Sequence, residues 1–315
     1  MKSGQRYRLS LLITVVGIAG LLLAGLAYRS AAQEATEAPA LTVEALEAYL
    51  SSVPVFSHFD SPRLAEIHAA GLALGNRANV FTTVGDSNTT NGDFLRPMGL
   101  PQNLCRFGPY APLRRTIEYF SVAPRPGMRN SFTSDSLAAE IGFGTPMVLD
   151  PFWADQSQCE RNESPLQCEY RLVRPSVAII MLGQIDNNQA KLSPEDYKVN
   201  MEQIVRETMD RGVIPVLTTI VFLADRDIYE HSLRYNLALV ELAALYEIPL
   251  INLWAAVQTL PNVGIGPDHS HLSARVDSFC SFDGAQQQLG GTLRNLLTLQ
   301  ALDQLRQDVL AASQP

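Results

Sequence analysis

The stretch "ANVFTTVGDSNTT", residues 78–90, runs from an apolar, β-branched segment straight into Gly85, Asp86 and Ser87. A short charge-free run of Val, Phe and Thr suits a strand buried on both faces, as in a parallel sheet covered by helices. Gly, Asp, Ser and Asn are also the commonest turn formers, so the triplet alone fits a plain turn. The second reading puts Ser87 at the carboxyl end of a strand, where open α/β sheets hold their ligands. A serine hydroxyl is a weak nucleophile at neutral pH, so that reading needs a base elsewhere in the chain.

Three more segments have the same character: "SVAIIML" (176–182), "VIPVLTT" (213–219) and "IPLINL" (248–253). Amphipathic segments separate them, as in successive βα units. Helices are predicted over 62–74, 193–211 and 228–246, and a long one within 284–312. The second has Ser193 as N-cap, Pro194 at the first helical position, Asp196 in the first turn and Gly212 as its stop. This alternation specifies one α/β domain over residues 42–315. Residues 95–170, rich in Pro, Gly and polar side chains, read as long loops, and long loops in a compact domain tend to be functional.

With 315 residues, 46% of them apolar, and a net charge of −8, the chain has the composition of a soluble globular protein. No Lys/Arg cluster follows the first few residues, which argues against a nucleic-acid partner. Lys2, Arg6 and Arg8 precede "LSLLITVVGIAGLLLAGLAY", followed by "RSAAQEA". That layout makes residues 1–32 either a signal peptide cleaved after Ala32 or an uncleaved single-helix membrane anchor. Both place the rest of the chain outside the cytoplasm, secreted or tethered. Residues 33–41 are a polar, Ala/Pro-containing spacer. Residues 1–32 hold four basic and no acidic residues, so their removal takes the net charge from −8 to −12.

An even set of four cysteines in an exported chain favours disulfides. Cys159 and Cys168 enclose a short polar segment and read as a local staple, leaving Cys105 with Cys280 by elimination. The alternative is buried free thiols. Nothing in the cysteine or histidine spacing calls for a metal, and no cofactor is implied.

Of the five histidines, His58, His68 and His231 read as surface or packing residues. The other two, His269 and His271, lie in the Gly/Pro-rich loop "GIGPDHSHLS". There Asp268 precedes His271 by three. A carboxylate at that spacing can hold one ring nitrogen and leave the other to face a nucleophile.

"VGDSNTT" near the first strand and "GPDHSHLS" far downstream together resemble the GDSL-type, or SGNH, hydrolases. The resemblance spans most of residues 78–300. It implies a three-layer α/β/α sandwich with a central parallel sheet in flavodoxin-like order. It also implies a serine esterase in which Ser87 is the nucleophile, His271 the general base and acid, and Asp268 the residue orienting His271. His269 has no catalytic counterpart in that family. The oxyanion hole would take backbone N–H groups from Ser87 and from Gly142, with Gly144 as the other candidate. The family's Gly-x-Asn-Asp block matches at Gly183 and Asp186, but its Asn position holds Ile185. The missing donor then comes from Asn187 or Gln184, or from backbone N–H groups alone, or the domain is a weakly active or non-catalytic binding protein. The implied substrate is a small-molecule or carbohydrate ester.

Overall fold

The computed structural model describes residues 41–101 and 105–311, so the predicted export segment 1–32 lies outside the described residues. From Val43 onward the described residues pack as one unit. In chain order the elements are α1 (Val43–Ser52), β1 (Phe56–Ser57), α2 (Arg63–Ala73), β2 (Arg77–Gly85) and α3 (Ser87–Thr90). Next come α4 (Arg114–Tyr119), α5 (Thr145–Leu149), α6 (Pro165–Val173), β3 (Pro175–Met181) and α7 (Pro194–Asp210). The last are β4 (Ile214–Thr218), α8 (Tyr229–Tyr246), β5 (Leu250–Ile251), α9 (Leu253–Val257) and α10 (Gly290–Leu305).

The charge-free runs become the sheet. Strands β2, β3, β4 and β5 are parallel neighbours, with Gly85 opposite Met181 and Leu217 opposite Leu250. Every residue of β3 and β4 is buried, the signature of strands covered on both faces. Helix α2 packs on β2, β3 and β4 and α10 on β5, while α6, α7 and α8 form a second layer on the sheet. The result is a three-layer α/β/α arrangement. Helix α7 starts as its sequence specifies, with the Ser193 side chain accepting from the Asp196 N–H. Gly212 follows with φ of +65°, in the left-handed conformation that ends a helix without Cβ strain.

Three features differ from the sequence reading. The run 248–253 yields only the two residues of β5, because Asn252 leaves the strand to cap α9, accepting from the Ala255 N–H. A short antiparallel strand, β1, pairs with that edge, and two residues are too few to leave a pattern in sequence. The sheet order is β1-β5-β4-β3-β2, so the described parallel strands simply follow chain order rather than the full flavodoxin-like order. What remains of a strand outside β2 is a single parallel bridge between Gly85 and Ala139. Counted as a strand remnant, it makes β2 the point where the order reverses, with one neighbour on each side. Ligands in open α/β sheets bind at that switch point, beyond the strand's carboxyl end.

Within 95–170, α6 is more regular than the composition suggests. Its start carries a capping box, in which Ser164 and Gln167 satisfy one another's backbone N–H groups. The two cysteine pairs are both disulfide-bonded as read from the sequence, Cys159 to Cys168 and Cys105 to Cys280.

Candidate active site

Ser87 is the first residue of α3, two residues past the end of β2, with Asp86 between them. Gly85 is required there by close approach: a Cβ would lie 2.1 Å from Thr89 Oγ1 and 2.8 Å from the Met181 carbonyl oxygen. The chain can therefore fold back on the strand end only at glycine. Asp86 caps the turn, its carboxylate accepting from the Asn88 N–H at 2.9 Å. It is fully buried, and desolvation pushes its carboxyl up to about 6, against the pull of the Asn88 N–H and the Arg294 charge.

The loop carrying Asp268 and His271 folds against Ser87 from the other end of the chain. His271 Nε2 lies 2.9 Å from Ser87 Oγ, and His271 Nδ1 lies 2.7 Å from Asp268 Oδ2. The other carboxylate oxygen accepts from the backbone N–H groups of Ser270 and His271, at 3.1 and 3.0 Å. Burial works to raise the Asp268 carboxyl, but these donors and the His271 ring outweigh it and hold the group at about 2. An ionised Asp268 accepts from Nδ1–H. Nε2 is then left as the acceptor for the Ser87 hydroxyl. The loop is fixed at its base by the Gly266 N–H to His271 carbonyl bond, 2.8 Å, and by the Ser273 N–H to Gly264 carbonyl bond, 2.8 Å.

Ser87, His271 and Asp268 are thus brought together, whereas the candidates for the oxyanion site divide. Segment 138–140 runs along Gly85, which donates to the Ala138 carbonyl and accepts from the Glu140 N–H. Gly142 follows at the third position of the 140–143 turn, with φ of +90°, a conformation that only glycine adopts readily. Gly144 sits instead against the Asp186 carboxylate, 3.0 Å from where its Cβ would be. Asp186 is buried and accepts from both the Thr145 N–H, at 2.9 Å, and the Thr145 hydroxyl, so it holds the start of α5. The Asn187 amide is taken: buried, it donates to the Ile228 carbonyl at 2.9 Å. Gln184 is also engaged, donating to the Ser270 carbonyl at 2.9 Å. Ile185 is buried and has no polar group to offer.

Gln184, a donor candidate in the sequence, instead ties the end of β3 to the His271 loop. Two further supporting residues carried no sequence signal. Glu169, buried on α6, accepts from the Thr82 hydroxyl at 2.5 Å and from the Leu137 N–H at 2.9 Å, so it fastens the segment leading to Gly142 onto β2. Arg294 on α10 donates to the Asn88 carbonyl. Charged residues on amphipathic helices ordinarily face water, and nothing near Glu169 or Arg294 in sequence distinguishes them. On the Gly142 side, Phe152 and Trp153 are 80% and 47% exposed. Their rings meet edge to face at 5.4 Å, with Trp153 against Phe143 at 6.4 Å.

No known protein-family profile matches the chain, and no curated protein sequence does. Among solved structures, it is similar to an acetylxylan esterase from Geobacillus stearothermophilus, at 13% identity and a TM-score of 0.42 over 70% of this chain and 93% of that one. A variant described as an acetyl-xylooligosaccharide esterase gives 16% identity and 0.42, with the same coverage. An acetyl esterase variant with acetate ion gives 15% identity and 0.42, over 69% of this chain and 97% of that one. At such identities and scores the likeness assigns no activity.

Proposed function

We propose that the chain is an exported serine esterase of the SGNH, or GDSL, type. The observation that carries this reading is the continuous relay from Asp268 through His271 to Ser87, built at the switch point of a parallel sheet. Ser87 Oγ attacks the ester carbonyl while its proton passes to His271 Nε2. The tetrahedral intermediate collapses as His271 returns that proton to the leaving alcohol, and the acyl group stays on Ser87. Water, deprotonated by the same nitrogen, then attacks the acyl-enzyme, and the serine hydroxyl is regenerated with release of the acid. Asp268 keeps the imidazole in the productive tautomer throughout.

The oxyanion forms beside the backbone N–H groups of Ser87 and Gly142. Asn187, committed to Ile228, is withdrawn from that set, and Ile185 supplies no side-chain donor. The substrate class is a small-molecule or carbohydrate ester, which the acidic net charge of −8 favours over a lipid surface. Export is supported by the two disulfides, which persist in oxidising compartments. Among the described residues no helix is long and apolar enough to cross a membrane.

One observation favours a second reading, a binding protein that retains the fold: Ile185 stands where the family has its asparagine, and the Asn187 and Gln184 amides are committed elsewhere, whereas such a donor contributes about 10²–10³ in rate. Labelling with a fluorophosphonate separates the two. The esterase reading expects one label per wild-type molecule and none on Ser87→Ala. Equally poor labelling of both proteins favours the binder and removes the esterase.

A further inference from the structure

The first two turns of α10 grip both halves of the candidate site. Arg294, only 3% exposed, donates through Nη1 to the Asn88 carbonyl at 2.6 Å and through Nη2 to Thr89 Oγ1 at 3.2 Å. Its guanidinium lies over the Phe94 ring, 3.6 Å from the centroid. The neighbouring Asn295 accepts from the Leu95 N–H and donates to the carbonyls of Asp93 and Phe279, at 2.9, 2.7 and 2.9 Å. On the histidine side, Gly291 N–H donates to the Ser273 carbonyl at 3.0 Å and Thr292 Oγ1 to the Ser278 carbonyl at 2.8 Å. The two halves also touch directly, one residue beyond each reacting side chain, where the Leu272 N–H points to Asn88 Oδ1 at 3.4 Å.

A buried arginine in this place is not explained by stability. Apolar residues of similar volume serve a core as well as a buried ion pair does, or better. Desolvation pulls Arg294 down to about 10, opposed by Asp86 and Asp93, so it stays a cation at neutral pH. Its hydrogen bonds have a specific target. Helix α3 is one turn long, and so short a helix leaves carbonyls without partners and has little stability of its own. The Asn88 carbonyl is one such group, and Arg294 is its donor.

We propose that Arg294 is a positioning residue for Ser87, holding the one-turn helix α3 through a two-point fork so that Ser87 Oγ stays on His271 Nε2. The proposal rests on the reading of Ser87 as the nucleophile. Lysine in its place keeps the charge but loses the planar fork and the stacking on Phe94.

The test compares wild type, Arg294→Lys and Thr89→Val, which removes one acceptor of the fork. Each is assayed with p-nitrophenyl acetate and for its fluorophosphonate labelling rate, expressed per folded molecule and well below its unfolding temperature. Arg294→Lys is expected to lose about tenfold or more in kcat and in labelling rate, with KM within twofold of wild type. Thr89→Val is expected to lose about threefold in both rates, with unchanged KM. A residue that merely supports the fold would lower the folded fraction and leave the rate per folded molecule alone. Wild-type rates in folded Arg294→Lys overturn the proposal. If that variant does not fold, wild-type rates in Thr89→Val overturn it. Failure of wild type itself to label is a different result, which removes the nucleophile reading.

Discussion

Asp86→Asn tests the electrostatics beneath Ser87. The carboxyl is fully buried, and its proton affinity rises from an ordinary 3.8 to about 6 in the folded protein. At 1.36 kcal/mol for each tenfold change, ionising Asp86 in the folded state costs about 3 kcal/mol relative to the unfolded chain. Between pH 4 and 6 the folded protein therefore binds more protons at this site than the unfolded one, and stability from this group falls as pH rises. Asparagine keeps an oxygen for the Asn88 N–H, remains a good N-cap and does not ionise. The variant should match wild type in stability near pH 4. It should become more stable as pH rises through 6, approaching an advantage of about 3 kcal/mol at pH 8. Urea unfolding at pH 4, 5, 6, 7 and 8, with disulfides intact, measures the difference. A gap that does not change with pH, or a variant less stable than wild type at pH 8, would refute the assignment of a desolvated carboxyl to Asp86.

Two further outcomes follow from the site and its staples. Ile185→Asn should raise kcat for p-nitrophenyl acetate, by up to about 10²-fold, if the end of β3 directs that side chain to the oxyanion. Ordinary esterase turnover in wild type with no gain in the variant would mean the backbone donors suffice. Replacing Cys105 and Cys280 by serine opens a cross-link between residues 175 apart, while Cys159 and Cys168 are only 9 apart. Loop-closure entropy makes the first loss about 5 kcal/mol and the second about 3 kcal/mol, compared by urea midpoints. The reverse order would show that strain or residual unfolded structure dominates.

The sequence by itself determined what depends on near neighbours. The charge-free runs at 78–84, 176–182 and 213–219 could only be satisfied between two helical layers, and Ser193 and Gly212 delimit α7 by local capping. The Gly-Asp-Ser turn and the Asp268 to His271 spacing are local too, which is why Ser87, His271 and Asp268 could be singled out as candidates before any fold was known. Tertiary structure alone decided how those pieces meet. Ser87 and His271 are 184 residues apart, and Arg294 and Asn88 are 206 apart. No periodicity or cap encodes a contact over such a distance. It also decided which polar groups were already taken. Asn187 looked available in sequence, but Ile228, brought beside it by the packing of α8, claims its amide. Nothing in the sequence marks Arg294, yet the packing of α10 buries it against the Asn88 carbonyl and Thr89. A side chain's type follows from the sequence, but its hydration and its partner follow from the elements packed around it.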